Sequence, residues 1–409
     1  MKILVVSHYF WPENFRVNDL CAGLAKKGHD VTVLTGVPNY PRGKIFRDYK
    51  SNPAEFMEYE GCTIIRVPVV PRGSGSSIKL FANYFSYILS VSTLGVIKLK
   101  GREFDIIFVF APSPITIGLS AVILKKIKNV PVIFWVLDLW PETLSAVGAV
   151  NNKLALSLIG KMVSFIYNQC DLVLAQSKAF YDGIAAYTKD VEKIKYFPNW
   201  SDNDYSKPTT NVFSEEVGVF KVLFSGNIGE AQDFPSILKM VSLVKKRNVN
   251  VVLYVVGDGR AFDWVEAEVT KQRLEDRVRL LGRYPLESMA DFYSSVDALL
   301  VTLKDEPVFA KTIPGKVQSY LAAGKPILTM LSGEGSRIID EAKCGYIAES
   351  GDYVSLADNI LKMSLLNEIE LSVLGQNSKD YYDREFDRNK LLSQLERWMN
   401  GLVINSKEN

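Results

Sequence analysis

Short runs of Val, Ile, Leu and Phe recur along this chain with helical segments between them, and that alternation restricts the fold more than any other feature. In the first half the runs cover residues 3–6, 31–35, 63–67, 106–110, 132–137 and 172–175, with helical periodicity near 17–27, 115–126 and 154–168. Gly28 stops the first helix, so the opening segment reads as a β-α-β unit. Strands this apolar are buried on both faces, which predicts a parallel sheet with helices on either side.

The same grammar restarts after a break. Residues 198–219 are rich in Asn, Ser, Thr and Asp and contain Pro208, a linker composition. Strands are then predicted at 222–225, 251–256, 278–281, 299–302 and 327–330. The expected fold is α/β, with two doubly wound Rossmann-like domains, 1–200 and 201–386, and a terminal segment 387–409. That segment places Leu391, Leu392, Leu395 and Trp398 at helical spacing, so it needs an apolar surface to lie on. Two such domains facing each other would leave a cleft lined by the carboxyl ends of both sheets, where ligands bind in open α/β folds.

With 47% apolar and 23% charged residues, long disordered tracts are not expected. Net charge is +2, but residues 1–200 carry 23 Lys and Arg against 15 Asp and Glu, leaving 25 against 31 for the rest. The first half is therefore the basic one, and no basic run interleaved with aromatics points to nucleic acid. Cys21, Cys62, Cys170 and Cys344 have no C-x-x-C spacing, which suits single buried thiols in a reducing compartment. Only four apolar residues separate Lys2 from Ser7, too few for a secretory signal, so a cytoplasmic protein is expected.

Several loops have the chemistry of a site. Thr312, Ile313, Pro314, Gly315 and Lys316 lead into a helix running to Ala322. Free amides at a helix start beside a lysine form the kind of place that holds a diphosphate, although an exposed lysine on an ordinary turn fits the same pattern. Gly226-Asn227-Ile228-Gly229 and Gly257-Asp258-Gly259 each follow a strand and suit close approach of a ligand to the backbone. Gln232, Arg283, Lys311 and Ser319 are grouped with them as ligand-binding candidates. Asp138 and Glu142 arrive as strand 132–137 ends, a place for catalysis or for a helix cap. His8, in the first strand-to-helix turn with Asn14 and Arg16, is a further catalytic candidate, whereas His29 reads as structural. No His, Cys or Asp cluster has metal spacing, and Asp202 and Asp204 look like turn residues in the linker.

Residues 80–97 carry no charge and are bracketed by Lys79 and Lys98. As a helix they would reach about 27 Å, marginally enough to cross a bilayer. Crossing would separate the earlier strands from the later ones of one sheet. The expectation is a helix with Phe81, Tyr84, Phe85, Ile88 and Leu89 on one face, set on a membrane surface with Lys98, Lys100 and Arg102 toward anionic headgroups, or packed in the core.

The motifs H-Y-F-W-P-E-N, D-L-W-P-E, F-P-N-W, G-N-I-G, V-G-D-G and T-I-P-G-K followed by Y-L-A-A-G-K-P resemble those of family 4 glycosyltransferases, in order along nearly the whole chain. More narrowly they resemble the bacterial O-antigen and capsule branch that includes L-fucosamine transferases. The resemblance implies a GT-B fold, with the acceptor held by the N-terminal domain through residues such as Asn14 and Arg16. The donor would lie in the C-terminal domain and the terminal helix would cross back to the first. It also implies retention of anomeric configuration, no metal or other cofactor, a nucleoside-diphosphate sugar donor, and a polyprenyl-diphosphate-linked acceptor at the inner face of the cytoplasmic membrane. UDP-N-acetyl-L-fucosamine is the donor it suggests. The chain departs from the family where two glutamates contact donor sugar and ribose, since Lys311 and Ser319 stand there. It departs again where Arg and Lys follow the first C-domain strand, since Asn227 and Gln232 stand there.

On that resemblance, negative charge building on the leaving diphosphate would be neutralised by Lys316, the adjacent amides and Lys311. Asp138 would orient or deprotonate the acceptor hydroxyl, with Glu142 and His8 as alternatives. A GT-B sugar-nucleotide epimerase and a non-catalytic nucleotide-sugar-binding protein are the competing readings. A dinucleotide oxidoreductase would need G-x-G-x-x-G after the first strand, and none is there.

Overall fold

A computed structural model describes residues 1–73, 77–146, 148–201, 205, 208–213 and 218–408. The chain divides into two compact units, one of residues 1–197 with 389–409, the other of residues 198–388. Asp202 and Asp204 lie outside the described residues.

The first unit is built on β1 (Lys2–Ser7), β2 (Asp30–Gly36), β3 (Glu58–Tyr59), β4 (Cys62–Val67), β5 (Ile106–Ala111), β6 (Val132–Val136), β7 (Leu172–Ala175) and β8 (Ile194–Tyr196). Their order is β3-β4-β2-β1-β5-β6-β7-β8, parallel throughout except for the β3–β4 pair. Strand order reverses between β1 and β5, which opens a crevice beyond their carboxyl ends. β5 and β6 are buried along their whole length, as an all-apolar sequence requires. The sequence reading omits β3 and β8, a two-residue antiparallel edge and a three-residue Ile-Lys-Tyr strand too short for any periodicity.

In the second unit β9 (Phe220–Ser225), β10 (Val251–Val256), β11 (Val278–Gly282), β12 (Ala298–Thr302), β13 (Ile327–Met330) and β14 (Gly345–Ala348) make a parallel sheet ordered β11-β10-β9-β12-β13-β14. Here the reversal lies between β9 and β12. β14 was not expected, because its Gly-Tyr-Ile-Ala sequence lacks the apolar run of its neighbours.

A helix runs from Ser77 to Ser90, continues through a π-helical turn at Val91–Gly95 and ends at Lys98. Asn83, Tyr87 and Val91, four residues apart, point into the first unit and are buried. Phe81, at 69% exposure, Phe85 and Leu89 form the outward line. The expected apolar face is thus two-sided, with Tyr84 and Ile88 half-buried between the lines. By length and composition this helix, Ile78–Lys98, could cross a membrane, yet its inner line is core to the unit that holds it.

The last helix, Arg388–Glu408, packs on the first unit. Leu391, Leu392, Leu395 and Met399 are buried, and the Trp398 ring stands edge-on to Phe197 at 6.1 Å. Glu396 accepts from Lys27 Nζ (3.2 Å) and pairs with His29 Nε2 (2.9 Å), which gives His29 its structural role. The four cysteines are free and buried.

Candidate functional site

Three loops of the second unit meet beyond the carboxyl ends of β9, β10 and β11. With the helix Gly315–Ala322 they line an open cavity of about 900 Å³. Of the residues singled out in sequence, Gly226, Asn227, Gly257, Gly259, Arg283, Lys316 and Ser319 line it. Gly229, Gln232, Lys311, Thr312, Pro314 and Gly315 are not part of that lining. Thr312 closes a turn through its hydroxyl to the Phe309 carbonyl (3.1 Å), and Lys311 is exposed after the short helix Pro307–Ala310.

Lys316 is the chemical centre of this cavity. Its side chain passes so close under Gly226 that a Cβ there would sit 2.7 Å from Lys316 Cε. Its ammonium lies 3.7 Å from the centroid of the Phe224 ring and donates to Gln232 Oε1. Burial lowers its pKa to about 7, because an ammonium out of water without a counter-ion is disfavoured. Gln232, expected to contact ligand, accepts from the lysine through Oε1. The Gly315–Ala322 helix has no side-chain cap at Pro314, and its first amides open beside Lys316.

The other glycines have a different explanation from the expected one. A Cβ on Gly257 would fall 1.9 Å from the Gly226 carbonyl oxygen, and one on Gly259 would fall 2.3 Å from that of Ile228. All three glycines have positive φ. The loops pack backbone to backbone, so glycine is needed for loop against loop before any ligand is considered.

Sequence reading missed the aromatic and hydroxyl part of the lining. Ser225 donates its amide to Tyr320 Oη (2.9 Å) and shares its hydroxyl with Tyr293 Oη (2.8 Å), while Tyr205 and Tyr284 add ring surface. These residues come from a strand end, helices and the linker, and only the fold brings them together.

In the first unit, Asp138 follows β6 and accepts from Thr143 Oγ1 at 2.7 Å. Burial raises its carboxyl pKa, and hydrogen bonds from Thr143 and Ser113 oppose that rise. Among the described residues no backbone amide donates to it; Thr143 N bonds the Leu139 carbonyl, and Leu144 N bonds that of Pro141. Asp138 is therefore not the cap of the helix Glu142–Ala146. Glu142 begins that helix with Oε2 buried and unpartnered, as is the hydroxyl of Tyr167.

His8 sits just past β1, buried, with its ring stacked on Tyr87 (4.3 Å) and against Tyr9 (4.4 Å). Neither ring nitrogen has a hydrogen-bond partner; the nearby Asn83 amide is committed to the Val70 carbonyl and Tyr9 Oη. Burial lowers the His8 pKa to about 3, so the ring stays neutral at physiological pH and is a weak base. Asn14 is exposed, and Arg16 opens the helix Arg16–Lys26.

Between them lies a residue the sequence reading passed over. Glu13 is buried and accepts from the amides of Phe10 (3.2 Å), Asn39 (2.8 Å) and Tyr40 (2.7 Å). Burial raises its pKa to about 7 despite those bonds. Its signal in sequence was a carboxylate set among Trp, Pro and Phe, where a solvated charge is unexpected. Among the described residues no three His, Cys, Asp or Glu side chains converge in metal-binding geometry.

Residues 14–200 match the family described as Glycosyl transferase 4-like domain, and residues 219–365 match Glycosyl transferases group 1. WcaI of Escherichia coli (strain K12), named as a colanic acid biosynthesis glycosyl transferase, is 23% identical over 354 residues, 79% of this chain and 82% of its own. Sucrose-phosphate synthase (tll1590) from Thermosynechococcus elongatus shares the fold with a TM-score of 0.74 at 16% identity, over 99% of each chain. Anabaena Alr3699/HepE, solved in complex with UDP and glucose, matches with a TM-score of 0.69 at 15% identity, over 98% of this chain and 100% of its own.

Proposed function

The chain is a glycosyltransferase of the GT4 group with a GT-B fold, and we propose that it moves a sugar from UDP onto a polyprenyl-diphosphate-linked saccharide in bacterial O-antigen or capsule synthesis. The observation that carries this reading is Lys316, a partly desolvated cation at a glycine-lined cavity beyond the carboxyl ends of β9, β10 and β11 in the second unit. HepE, which has the same fold, was solved with UDP and glucose, and WcaI is named for colanic acid synthesis; both support the choice of donor and pathway class.

The leaving diphosphate gains charge as the glycosidic bond breaks, and the group that meets it should hold its own charge least comfortably beforehand. Lys316 fits, since its free-state pKa near 7 rises when the diphosphate arrives. No metal is assigned to this task. Asp138 orients the acceptor hydroxyl and takes its proton, and transfer retains anomeric configuration. Burial of Asp138 holds its proton affinity above that of a surface carboxylate, which favours the second role. His8, neutral and unpartnered, serves as a hydrogen-bonding group. L-fucosamine from UDP-N-acetyl-L-fucosamine is the donor sugar of this reading.

The protein works at the inner face of the cytoplasmic membrane on this proposal. Phe81, Phe85, Leu89 and Ile97 face outward along one helix, with Lys100 and Arg102 following, whereas Lys98, expected to join them, donates its ammonium to the Arg66 carbonyl (2.7 Å). Apolar residues beside cations suit an anionic bilayer surface.

The test is incubation of the purified protein with lipid-linked N-acetylglucosamine and a panel of UDP-sugars, reading product mass. A UDP-sugar converted without acceptor would favour an epimerase, and UDP binding without turnover on any acceptor a binding protein.

A further inference from the structure

Beyond the carboxyl ends of β1, β2 and β4, three loops are tied into one platform. Glu13 binds the amides of Asn39 and Tyr40, and Asn39 Oδ1 accepts from the Arg72 amide (3.1 Å). The Asn39 carbonyl accepts from Gly43 N (2.8 Å), and that of Gly43 from Gly73 N (3.0 Å). On this platform the rings of Tyr9, Phe15 and Tyr40 lie 5.1–5.4 Å apart.

Above it stands an uncompensated cation. The Arg72 guanidinium lies 4.9 Å from the centroid of the Tyr40 ring, and its charge reaches Tyr9, Tyr84 and His8. Lys79 folds back so that a Cβ on Gly73 would be 3.1 Å from its Nζ. Among the described residues no carboxylate lies within ion-pair distance of Arg72 or Lys79. The buried His8 beside them has two unpartnered ring nitrogens, which is unusual for a polar side chain so withdrawn from water. Tyr84 feels the charges of both Arg72 and Asp138.

We propose that Arg72 and Lys79 are the seat of a phosphate group on the acceptor, the diphosphate that joins the acceptor sugar to its lipid. A guanidinium stacked on an aromatic ring and steadied by the Tyr9 hydroxyl has further donors in its fork to offer phosphate oxygens, and Lys79 adds a second charge. The position also fits an amphiphile. Ile78, Phe81, Phe85 and Leu89 are exposed along the same helix that carries Lys79, an apolar track for the lipid chain. The ring platform offers flat apolar surface to the sugar. The identity of the acceptor rests on the function proposed above; the phosphate site itself does not.

Direct binding separates the two. Farnesyl diphosphate, titrated into the full chain in neutral-lipid micelles, binds the unaltered protein, and Arg72→Gln with Lys79→Gln weakens that binding at least tenfold while UDP binding and Tm hold. Equal binding by both proteins overturns the site whatever the enzyme does. With transfer established, the double variant loses at least ten times more kcat/KM on a diphosphate-linked acceptor than on an uncharged alkyl glycoside. Equal losses on both would also overturn it. Vesicles of phosphatidylglycerol without polyprenyl lipid form the third arm. If the variant's whole defect is in binding those vesicles, with farnesyl diphosphate binding intact, the cations read bulk headgroups and the proposal fails.

Discussion

Lys316 is where single-residue chemistry is most exposed to test. Replacement by Ala should lower turnover by about 3 kcal/mol of barrier, roughly 150-fold, the scale of losing one charge-stabilising donor. Unchanged turnover at saturating donor would remove it from the mechanism. Because its pKa is about 7 when free and higher against a diphosphate, UDP binding at pH 8 should take up a proton, and affinity should fall as pH rises above 7. Calorimetry in buffers of different ionisation enthalpy reads that proton, and the Ala variant should lose it. Asp138→Asn should keep fold and UDP binding but abolish transfer, since Asp138 caps no helix. Glu13 carries a stability signature of the opposite kind from a paired carboxylate. Its folded pKa of about 7 lies above the ordinary 4.5, so the folded form binds the proton more tightly. Its contribution is complete below pH 4.5 and is lost as pH rises through 7, by about 3 kcal/mol. Glu13→Gln should flatten this part of the stability profile. Lys316 and Asp138 were legible because a lone cation after Pro-Gly and a carboxylate at the end of an apolar strand are local patterns. Glu13 and Arg72 were not, because their meaning lies in loops brought together from three strands.

The helix Ile78–Lys98 shows how far periodicity reaches at the scale of an element. It marked Phe81, Phe85 and Leu89 as one face but did not reveal that Asn83, Tyr87 and Val91 form a second, buried face. Both faces are apolar enough to blur the hydrophobic period. The outward line should be dispensable for folding: Phe81→Glu with Phe85→Glu should leave Tm within a few degrees while reducing sedimentation with anionic vesicles severalfold. Full retention of vesicle binding would detach this face from the membrane. The glycine loops carry the reverse lesson, since their sequence pointed to a ligand while their geometry is first required by each other. Gly226→Ala strains a φ of +130° and displaces Lys316, so UDP affinity should fall together with stability.

Across the whole molecule the repeated strand–helix grammar made both sheets readable, because a buried parallel strand writes itself as an uninterrupted apolar run. Short edge strands β3, β8 and β14 escaped for want of length or apolarity. The residues of the terminal helix showed only a need, a surface for Leu391, Leu392 and Leu395; the resemblance sent it back to the first domain, and the fold supplies that surface in the first unit. Chelation with EDTA should leave turnover unchanged, since the proposed charge stabilisation uses a lysine; loss restored by a divalent ion would overturn that assignment.

The return of residues 389–409 to the first unit sets an order on biogenesis. A ribosome releases the middle unit whole while the opening unit still lacks its closing helix. The first unit is thus sealed after the second, with the sites for Leu391, Leu392 and Leu395 bare until that helix is made. A chain halted before residue 388 should keep a folded middle and bind chaperones through its beginning.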